Sequence, residues 1–238
     1  MTYIPVMSSF RDVLLVDLDG TLTDSAPGII ESITFAYQTL FLPVPSMEEL
    51  RSFVGPPLHD SAARHGVPPE LMPEFLSAYR VAFVDGGMLN NSVYAGVRDM
   101  LEGLSQQYRL VIATSKPEVF ARQIIRHFGL DQFCEAVCGA SLDGVRSTKA
   151  EVIAHALETL RTSEAGLPGD ARITMIGDRE HDVLGAAEHG LPTVGVRWGY
   201  AEPEELENAG AVAIARKPAE VAGLVAAVPH SRRASAVC

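Results

Sequence analysis

Short apolar runs that alternate with helical patterns constrain the fold of this chain more than any other feature of its sequence. Each run is too short for a helix and too uniformly apolar for a half-exposed strand, which is typical of buried parallel strands. The runs are Val13–Val16, Leu110–Ala113, Ile173–Ile176, Thr193–Val196 and Val212–Ile214. Helical three- and four-residue spacing of apolar residues is found in Val97–Gln106, Glu118–His127, Lys149–Leu160, Val183–Glu188 and Pro203–Glu207. The alternation predicts an α/β fold with a doubly wound, Rossmann-like parallel sheet.

The alternation is interrupted between Ala26 and Val93, where helical patterns follow one another and no strand run appears. These patterns are Pro27–Leu40, Met47–Phe53, Leu58–Arg64 and Pro69–Val84. We therefore expect a small all-helical cap domain over residues 25–93, inserted after the first strand of a core formed by 1–24 and 94–228. The glycine- and asparagine-rich exit of the insertion suits a hinge. Residues 229–238 lack periodicity and are predicted to form a flexible tail.

Composition excludes several classes of protein. The formal net charge of −11 argues against nucleic acid or an anionic membrane as a partner, since both require basic surface. No apolar stretch reaches the ~18 residues of a membrane span, and the first ten residues lack a secretory signal, so we expect a cytoplasmic protein. Cys134, Cys138 and Cys238 form neither a disulfide framework nor a zinc set, and the first two are interpreted as buried small residues.

Lysine is scarce in this chain. Lys116, Lys149 and Lys217 are its only lysines, against sixteen arginines. Because arginine stands at most positions where any cation would serve, each remaining lysine invites a specific reason.

Two carboxylates follow the first predicted strand, in the run Asp17-Leu18-Asp19-Gly20-Thr21. Residues two apart at the end of a strand share a face. Two like charges held this close repel each other, which costs stability unless a cation or a proton lies between them. The placement therefore indicates chemistry rather than structure.

Further polar residues stand at the ends of other predicted strands. Thr114 and Ser115 follow one strand, Asp178 and Asp182 follow another, and Lys149 begins a helix. In an open parallel sheet the ligand site lies beyond the carboxyl ends of the strands, so these groups are expected to converge with the two carboxylates. Taken singly, each also fits a structural role, such as a helix cap or a solvated cation. Together they suit a Mg²⁺ ion, which prefers oxygen ligands, and a phosphate.

These four motifs, in this order, resemble those of the haloacid dehalogenase superfamily in its phosphatase branch. The resemblance covers about the whole chain and is closest to phosphoglycolate-phosphatase-like and bacterial 5′-nucleotidase-like members. Asp17-Leu-Asp-Gly-Thr is its most specific motif, and Gly177-Asp178 with Asp182 is moderately specific. Ala150 departs from the proline that many members have after the motif lysine. The place of the helical insertion also matches one subgroup of this family.

The resemblance implies a role for each motif residue. Asp17 is the nucleophile that forms an aspartyl-phosphate, and Asp19 is the general acid and base. Mg²⁺ is bound by the Asp17 carboxylate, the Asp19 main-chain carbonyl and Asp178, with Asp182 behind them. Thr114, Ser115 and Lys149 bind the phosphoryl group. The implied activity is a Mg-dependent phosphomonoesterase acting on a small molecule, as a monomer or dimer.

The substrate stays open at this point. The loop residues Gly55, Pro56, Pro57 and Leu58 stand where such proteins place a substrate-facing cap loop, although a proline-stiffened helix joint fits them equally. Phosphoglycolate would require a cation for its carboxylate. A nucleoside 5′-monophosphate would require an apolar face, and the candidates Tyr37, Phe53, Tyr79 and Phe83 have a spacing more typical of a helix-bundle core.

Alternative functions follow from the same residues. A sugar phosphomutase has the same nucleophile and metal but needs cap cations for a second phosphate, for which Arg51, Arg64 and Arg80 are available. A non-catalytic phosphate- or protein-binding relative is disfavoured by the complete set of acidic and cationic groups. Relatives that cleave phosphonates need a cap lysine, which the insertion lacks, so this reaction is disfavoured. Dehalogenases of the family do without residues equivalent to Asp19 and Asp178, so the presence of both argues against dehalogenation.

Three residues near the motifs are assigned no chemical role. Lys116 and Arg179 are expected to face solvent. His181 is expected to be an ordinary loop residue, since histidine is a poor ligand for Mg²⁺.

Overall fold

A six-stranded parallel sheet forms the centre of the molecule. The computed structural model describes residues 12–169 and 171–229. The strands in chain order are β1 (Val13–Val16), β2 (Thr23–Asp24), β3 (Ser92–Val93), β4 (Arg109–Pro117), β5 (Ala136–Ala140), β6 (Ile173–Gly177), β7 (Thr193–Val196) and β8 (Ala213–Ala215). The sheet has the order β5-β4-β1-β6-β7-β8, and β2 pairs with β3 in a separate antiparallel ribbon. The predicted doubly wound parallel sheet is therefore confirmed.

Ten α-helices accompany these strands in the described part of the chain. They are α1 (Ala26–Thr39), α2 (Met47–Arg51), α3 (Leu58–Arg64), α4 (Met72–Ala82), α5 (Val97–Ser105), α6 (Glu118–His127), α7 (Lys149–Thr162), α8 (Glu180–Ala187), α9 (Glu205–Ala209) and α10 (Val221–Ala227). Six predicted helical patterns begin at the observed residue or within one residue of it, namely those of α1, α2, α3, α5, α6 and α7. The sequence patterns do not reveal β5, the β2–β3 ribbon or α10.

The apolar composition of β1 follows from its place in the middle of the sheet. Its residues pair with β4 on one side and β6 on the other, as Leu15 does with Val111 and Met175. Because side chains alternate along a strand, Leu14 and Val16 face one apolar cluster, while Val13 and Leu15 face another. Both faces of the strand are covered by helices, which leaves no position for a polar side chain.

The segment after β2 is helical, as predicted, and forms a cap. Helices α1 to α4 enclose an aromatic centre in which the rings of Tyr37 and Phe75 lie 5.0 Å apart in an edge-to-face contact. This apolar cluster is continuous with the one beneath the sheet, since Tyr37 and Phe75 belong to the same set of packed residues as Leu14 and Val16. The exact division between core and cap stays a prediction.

Other sequence predictions have mixed outcomes. Cys138 is buried and Cys134 is half-buried, and both are free thiols, in agreement with their interpretation as small apolar residues. Cys238, the predicted tail beyond Pro229 and the first ten residues lie outside the described ranges. No helix within those ranges is long and apolar enough to span a membrane.

Candidate active site

The predicted acidic and cationic residues converge at the carboxyl ends of β1, β4 and β6. Asp17 follows β1, Asp178 follows β6, and Asp182 lies in the first turn of α8. These three carboxylates are buried, and each offers an oxygen within 4.8 Å of the other two. Lys149, the first residue of α7, is 6% exposed and reaches the same cluster.

Lys149 connects two of the carboxylates. Its Nζ lies 2.8 Å from Asp17 Oδ1 and 2.7 Å from Asp182 Oδ1. Both contacts are short ion pairs between buried side chains. The ammonium also donates a hydrogen bond of 3.0 Å to the carbonyl oxygen of Ala113 in β4. Three fixed partners therefore hold the cation beside Asp17.

The start of α7 explains how Lys149 is placed. Thr148 is the N-cap of this helix, and its hydroxyl accepts a hydrogen bond from the Glu151 N–H. The Glu151 carboxylate in turn accepts from the Thr148 N–H, which completes a capping box. The cap fixes the first turn, and Lys149 is directed from that turn into the core.

Asp178 is held by donors on both of its oxygens. Thr21 donates from its hydroxyl to Oδ1 at 2.9 Å, and the main-chain N–H of Tyr200 donates to Oδ2 at 2.8 Å. Gly20 has a φ of +81°, and a Cβ at that position would lie 2.1 Å from Asp178 Oδ2. Only glycine therefore fits the turn between Asp19 and Thr21. Sequence reasoning assigned no role to Thr21 or Tyr200.

The electrostatic environment of the cluster disfavours three free carboxylates. Burial, together with the charges of Asp182 and Asp17, raises the pKa of Asp178 well above its ordinary value. Burial also raises the pKa of Asp17, with a further contribution from Asp182, although Lys149 acts in the opposite direction. Burial alone would lower the pKa of Lys149, but its attraction to Asp17 and Asp182 raises it. One ammonium thus faces three carboxylates. The oxygens of these carboxylates form a donor set that fits a hard divalent cation.

Lys116 does not face solvent, so that expectation is wrong. It is 8% exposed, and its Nζ forms an ion pair of 2.7 Å with Asp19 Oδ2. The same ammonium lies 4.9 Å from the centre of the Phe83 ring, which belongs to the cap side of the molecule. The other Asp19 oxygen, Oδ1, is buried without a hydrogen-bond partner among the described residues. The scarcity of lysine was the sequence signal that singled this residue out.

Thr114 and Ser115 lie at the end of β4, where its ladder with β5 becomes irregular. Thr114 is 1% exposed, and its hydroxyl oxygen accepts a hydrogen bond of 3.3 Å from the Lys116 N–H. The Thr114 hydroxyl proton is therefore available for another acceptor. Ser115 is half-buried next to it.

Arg179 was also expected to face solvent, and this expectation is wrong. Its side chain donates to the main-chain carbonyl oxygen of Val54 at 2.9 Å and to Glu205 Oε1 at 2.7 Å. Val54 belongs to the cap loop, the name used here for residues 53–58, which includes the predicted specificity residues. In this loop Pro57 is exposed and Gly55, Pro56 and Leu58 are half-buried. His181 lies on α8 rather than in a loop and is not part of the carboxylate cluster.

The candidate aromatic residues of the cap serve mainly as its core. Tyr37 and Phe53 are almost completely buried, and the Tyr37 hydroxyl donates to the His65 carbonyl oxygen. Phe83 is also buried and stacks on Tyr79, with 5.5 Å between the ring centres. Of these four side chains, Phe83 is the one that contacts Lys116.

Comparisons with known proteins agree with this arrangement. A protein named tyrosine-protein kinase PtkA from Mycobacterium tuberculosis is 43% identical over 197 residues, which cover 82% of this chain and 65% of that protein. This chain therefore spans less than two thirds of that relative's length. A protein named 5′-nucleotidase from Pseudomonas aeruginosa is 40% identical over 195 residues, covering 81% of this chain and 86% of that protein.

Solved structures and a family profile extend the comparison. The crystal structure of a predicted phosphatase from Clostridium acetobutylicum superimposes with a TM-score of 0.83 and 40% identity, covering 92% of this chain and all of that one. The profile described as haloacid dehalogenase-like hydrolase matches residues 14–196, which contain all four motifs. The resemblance inferred from the sequence is confirmed, and the chain belongs to the haloacid dehalogenase-like hydrolase family.

Proposed function

We propose that this protein is a Mg²⁺-dependent phosphomonoesterase that acts on a small phosphorylated metabolite through an aspartyl-phosphate on Asp17. The observation that carries the proposal is the convergence of Asp17, Asp178, Asp182 and Lys149 in one buried cluster beside Asp19. Such a set offers a nucleophile, a cation for the transferring phosphoryl group and oxygen ligands for a metal.

The residues present fit a magnesium ion. Asp17 and Asp178 would bind it through their carboxylates, with the main-chain carbonyl of Asp19 as a further ligand and Asp182 close behind. When bound, the ion would neutralise charge on the phosphoryl oxygens. Hydrogen bonds from the Thr21 hydroxyl and the Tyr200 N–H keep the Asp178 carboxylate in a fixed orientation.

Asp17 attacks phosphorus in line with the leaving oxygen. A bond forms between an Asp17 carboxylate oxygen and phosphorus, and the bond from phosphorus to the leaving oxygen breaks. Lys149, 2.8 Å from Asp17 Oδ1, offsets the negative charge that gathers on the phosphoryl group. The Thr114 hydroxyl is positioned at the same strand end to donate to a phosphoryl oxygen. The N–H groups of Leu18 and Asp19 donate to no described residue and are available for the same purpose.

Asp19 transfers the protons. It protonates the leaving alkoxide, and its carboxylate then takes a proton from the water that attacks the aspartyl-phosphate, which releases phosphate and restores Asp17. The ion pair with Lys116 engages Oδ2 and leaves Oδ1 for this exchange. Lys116 thus orients the acid and base by holding one of its two oxygens.

The family and the named relatives support a proposal for the substrate class. Nucleoside 5′-monophosphates and phosphoglycolate-like compounds are the proposed substrates, and the 5′-nucleotidase relative supports the former. Most of the cap aromatics are buried. We therefore propose that the leaving group contacts the cap loop and the region around Phe83 and Lys116.

A second candidate is phosphoryl transfer to or from tyrosine. It is favoured by the relative named tyrosine-protein kinase, which is 43% identical. The same aspartate would serve as the site of transfer. A sugar phosphomutase is less well supported, because Arg51, Arg64 and Arg80 are all exposed on the cap.

The test is a phosphate-release screen in the presence of Mg²⁺, run on the wild-type chain, Asp17→Asn and the exposed control Asp131→Asn. The substrates are nucleoside monophosphates, phosphoglycolate, hexose phosphates and phosphotyrosine. We expect release by the wild type and by Asp131→Asn, its loss on chelation of the metal, and a loss of at least about 10³-fold in Asp17→Asn. Release that survives Asp17→Asn contradicts the mechanism.

Two further readouts separate the alternatives. Interconversion of hexose 1- and 6-phosphates with little free phosphate favours the mutase. Transfer of phosphate from ATP to a tyrosine peptide, lost in Asp17→Asn, favours the kinase-like reaction.

A further inference from the structure

Arg179 connects the loop that carries Asp178 to the cap. Its guanidinium NH1 donates a hydrogen bond of 2.9 Å to the carbonyl oxygen of Val54, which lies 125 residues earlier in the chain. The contact is well shielded, since the Arg179 side chain is 17% exposed. On the core side, the Arg179 N–H donates to Asp182 Oδ2 at 3.1 Å, so one residue contacts both the carboxylate cluster and the cap loop.

Glu205, the first residue of α9, fixes the direction of the Arg179 side chain. Its Oε1 accepts from Arg179 Nε at 2.7 Å and from the Glu180 N–H at 2.8 Å, while Oε2 accepts from the Glu202 N–H at 2.9 Å. Burial of Glu205 would raise its pKa, but Arg179 and the two N–H donors hold that pKa below its ordinary value. Glu205 is therefore an ionised, almost buried partner, and Arg179 is not free to swing away from the cap.

The cap loop is shaped to receive this side chain. Val54 is 1% exposed, and the next residue, Gly55, has a φ of +108°. A Cβ at position 55 would lie 3.0 Å from the Arg179 NH1 atom, so a side chain there would press on the guanidinium. The contact thus has matching features on both sides: a braced arginine on the core and a backbone carbonyl beside a glycine on the cap.

We propose that Arg179 is a positioning residue that clasps the cap loop to the Asp178 loop and so sets the closed position of the cap over the phosphoryl site. The effect on catalysis rests on the proposed function, whereas the clasp itself does not. Since Pro56, Pro57 and Leu58 follow Val54 after a single glycine, the clasp also positions these residues of the cap loop. Arg179 acts through the cap loop and takes no part in the chemical step.

The clasp has a measurable consequence in the absence of any substrate. The N–H groups of Phe53 and Val54 are hydrogen-bonded to the carbonyl oxygens of Leu50 and Arg51, so their hydrogen exchange reports opening of this loop. A hydrogen bond from a charged donor changes an opening equilibrium by about tenfold. Arg179→Met should therefore speed exchange in peptides covering 53–58 by about tenfold, and Glu205→Gln should do so by a smaller factor.

Matched variants separate the clasp from general damage. Arg126→Met removes an exposed arginine on α6 and should leave cap-loop exchange unchanged. Gly55→Ala attacks the contact from the cap side, whereas Gly66→Ala strains another positive-φ glycine with no atom within 4 Å of its Cβ. We expect faster cap-loop exchange in Gly55→Ala alone. Arg179→Lys should give an intermediate value, because the single ammonium nitrogen does not reproduce the two separate donor atoms, Nε and NH1, that bond Glu205 and Val54.

Kinetics on a nucleoside monophosphate or phosphoglycolate complete the test. Loss of the clasp should raise KM by about tenfold with a smaller change in kcat, since the cap loop binds substrate and transition state alike. Cap-loop exchange that stays unchanged in Arg179→Met, Glu205→Gln and Gly55→Ala overturns the clasp, whatever the activity. If these variants exchange faster but the wild-type protein releases no phosphate, the clasp is supported and only the proposed function is rejected.

Discussion

The carboxylate site and the cap use their buried residues in different ways. At the site, the core places Asp17, Asp178, Asp182 and Lys149 out of solvent, where their charges oppose or balance one another within a few ångströms. In the cap, the deeply buried positions carry no charge: the largest are Tyr37 and Phe75, and the polar ones include the small hydroxyl residues Ser32 and Ser61. Burial of charge is costly and indicates chemistry, whereas burial of apolar side chains stabilises the fold.

Besides the continuous apolar cluster, two cationic side chains of the core reach the cap. Lys116 extends from the core to the ring of Phe83, and Arg179 extends to the carbonyl of Val54. In both cases the core supplies the cation and the cap supplies a neutral, electron-rich partner. The cap can therefore move without leaving a buried charge pair broken, because Lys116 keeps Asp19 and Arg179 keeps Glu205.

The largest expected effect is on kcat and concerns Asp19, at the carboxylate site. Asp19→Asn should lower kcat by about 10³-fold, equivalent to about 4 kcal/mol in activation free energy, because the leaving oxygen no longer receives a proton. In this variant the rate of aspartyl-phosphate formation should fall less with para-nitrophenyl phosphate, because its leaving group needs no proton. Intact-mass spectrometry should then show a trapped phosphoryl group on the variant. Equal losses in the rate of aspartyl-phosphate formation with both types of leaving group would contradict the role of Asp19 as the general acid.

The next effect lies in the cap and concerns stability. Phe75→Ala should lower the free energy of unfolding by about 3 kcal/mol, because a fully buried ring is replaced by a cavity. Since the apolar cluster of the cap is continuous with that of the core, both should unfold together. Circular dichroism reports all helices, and the fluorescence of Trp198, whose indole N–H donates to the Thr21 carbonyl, reports the core.

The two probes should shift to the same denaturant midpoint in Phe75→Ala. Phe75→Leu serves as the control, with a smaller shift in both. A variant whose circular dichroism moves while Trp198 fluorescence stays in place would show a cap that unfolds on its own.

The same contrast explains what could be predicted from the sequence. The site residues stand at strand ends, and parallel strands bring their ends together, so local pattern was enough to place Asp17, Asp178 and Lys149 in one crevice. Strand β5 was missed because its small residues, such as Cys138, form no clear apolar run; it is defined by pairing with β4. Arg179 was misjudged because its partner Val54 is remote in sequence and contributes only a carbonyl oxygen, which no side-chain pattern reveals.

The smallest expected effect compares two equivalent helix caps, one in each region. Ser46 caps α2 in the cap and Thr148 caps α7 in the core, each in a capping box with a glutamate three residues later. Ser46→Ala and Thr148→Ala should each lower the free energy of unfolding by about 1 kcal/mol, measured by urea denaturation. Only Thr148→Ala should also lower kcat/KM for phosphate release, because fraying of the first turn of α7 displaces Lys149 from Asp17. Equal losses of activity in the two variants would mean that Lys149 is held by Asp17, Asp182 and Ala113 without help from its helix.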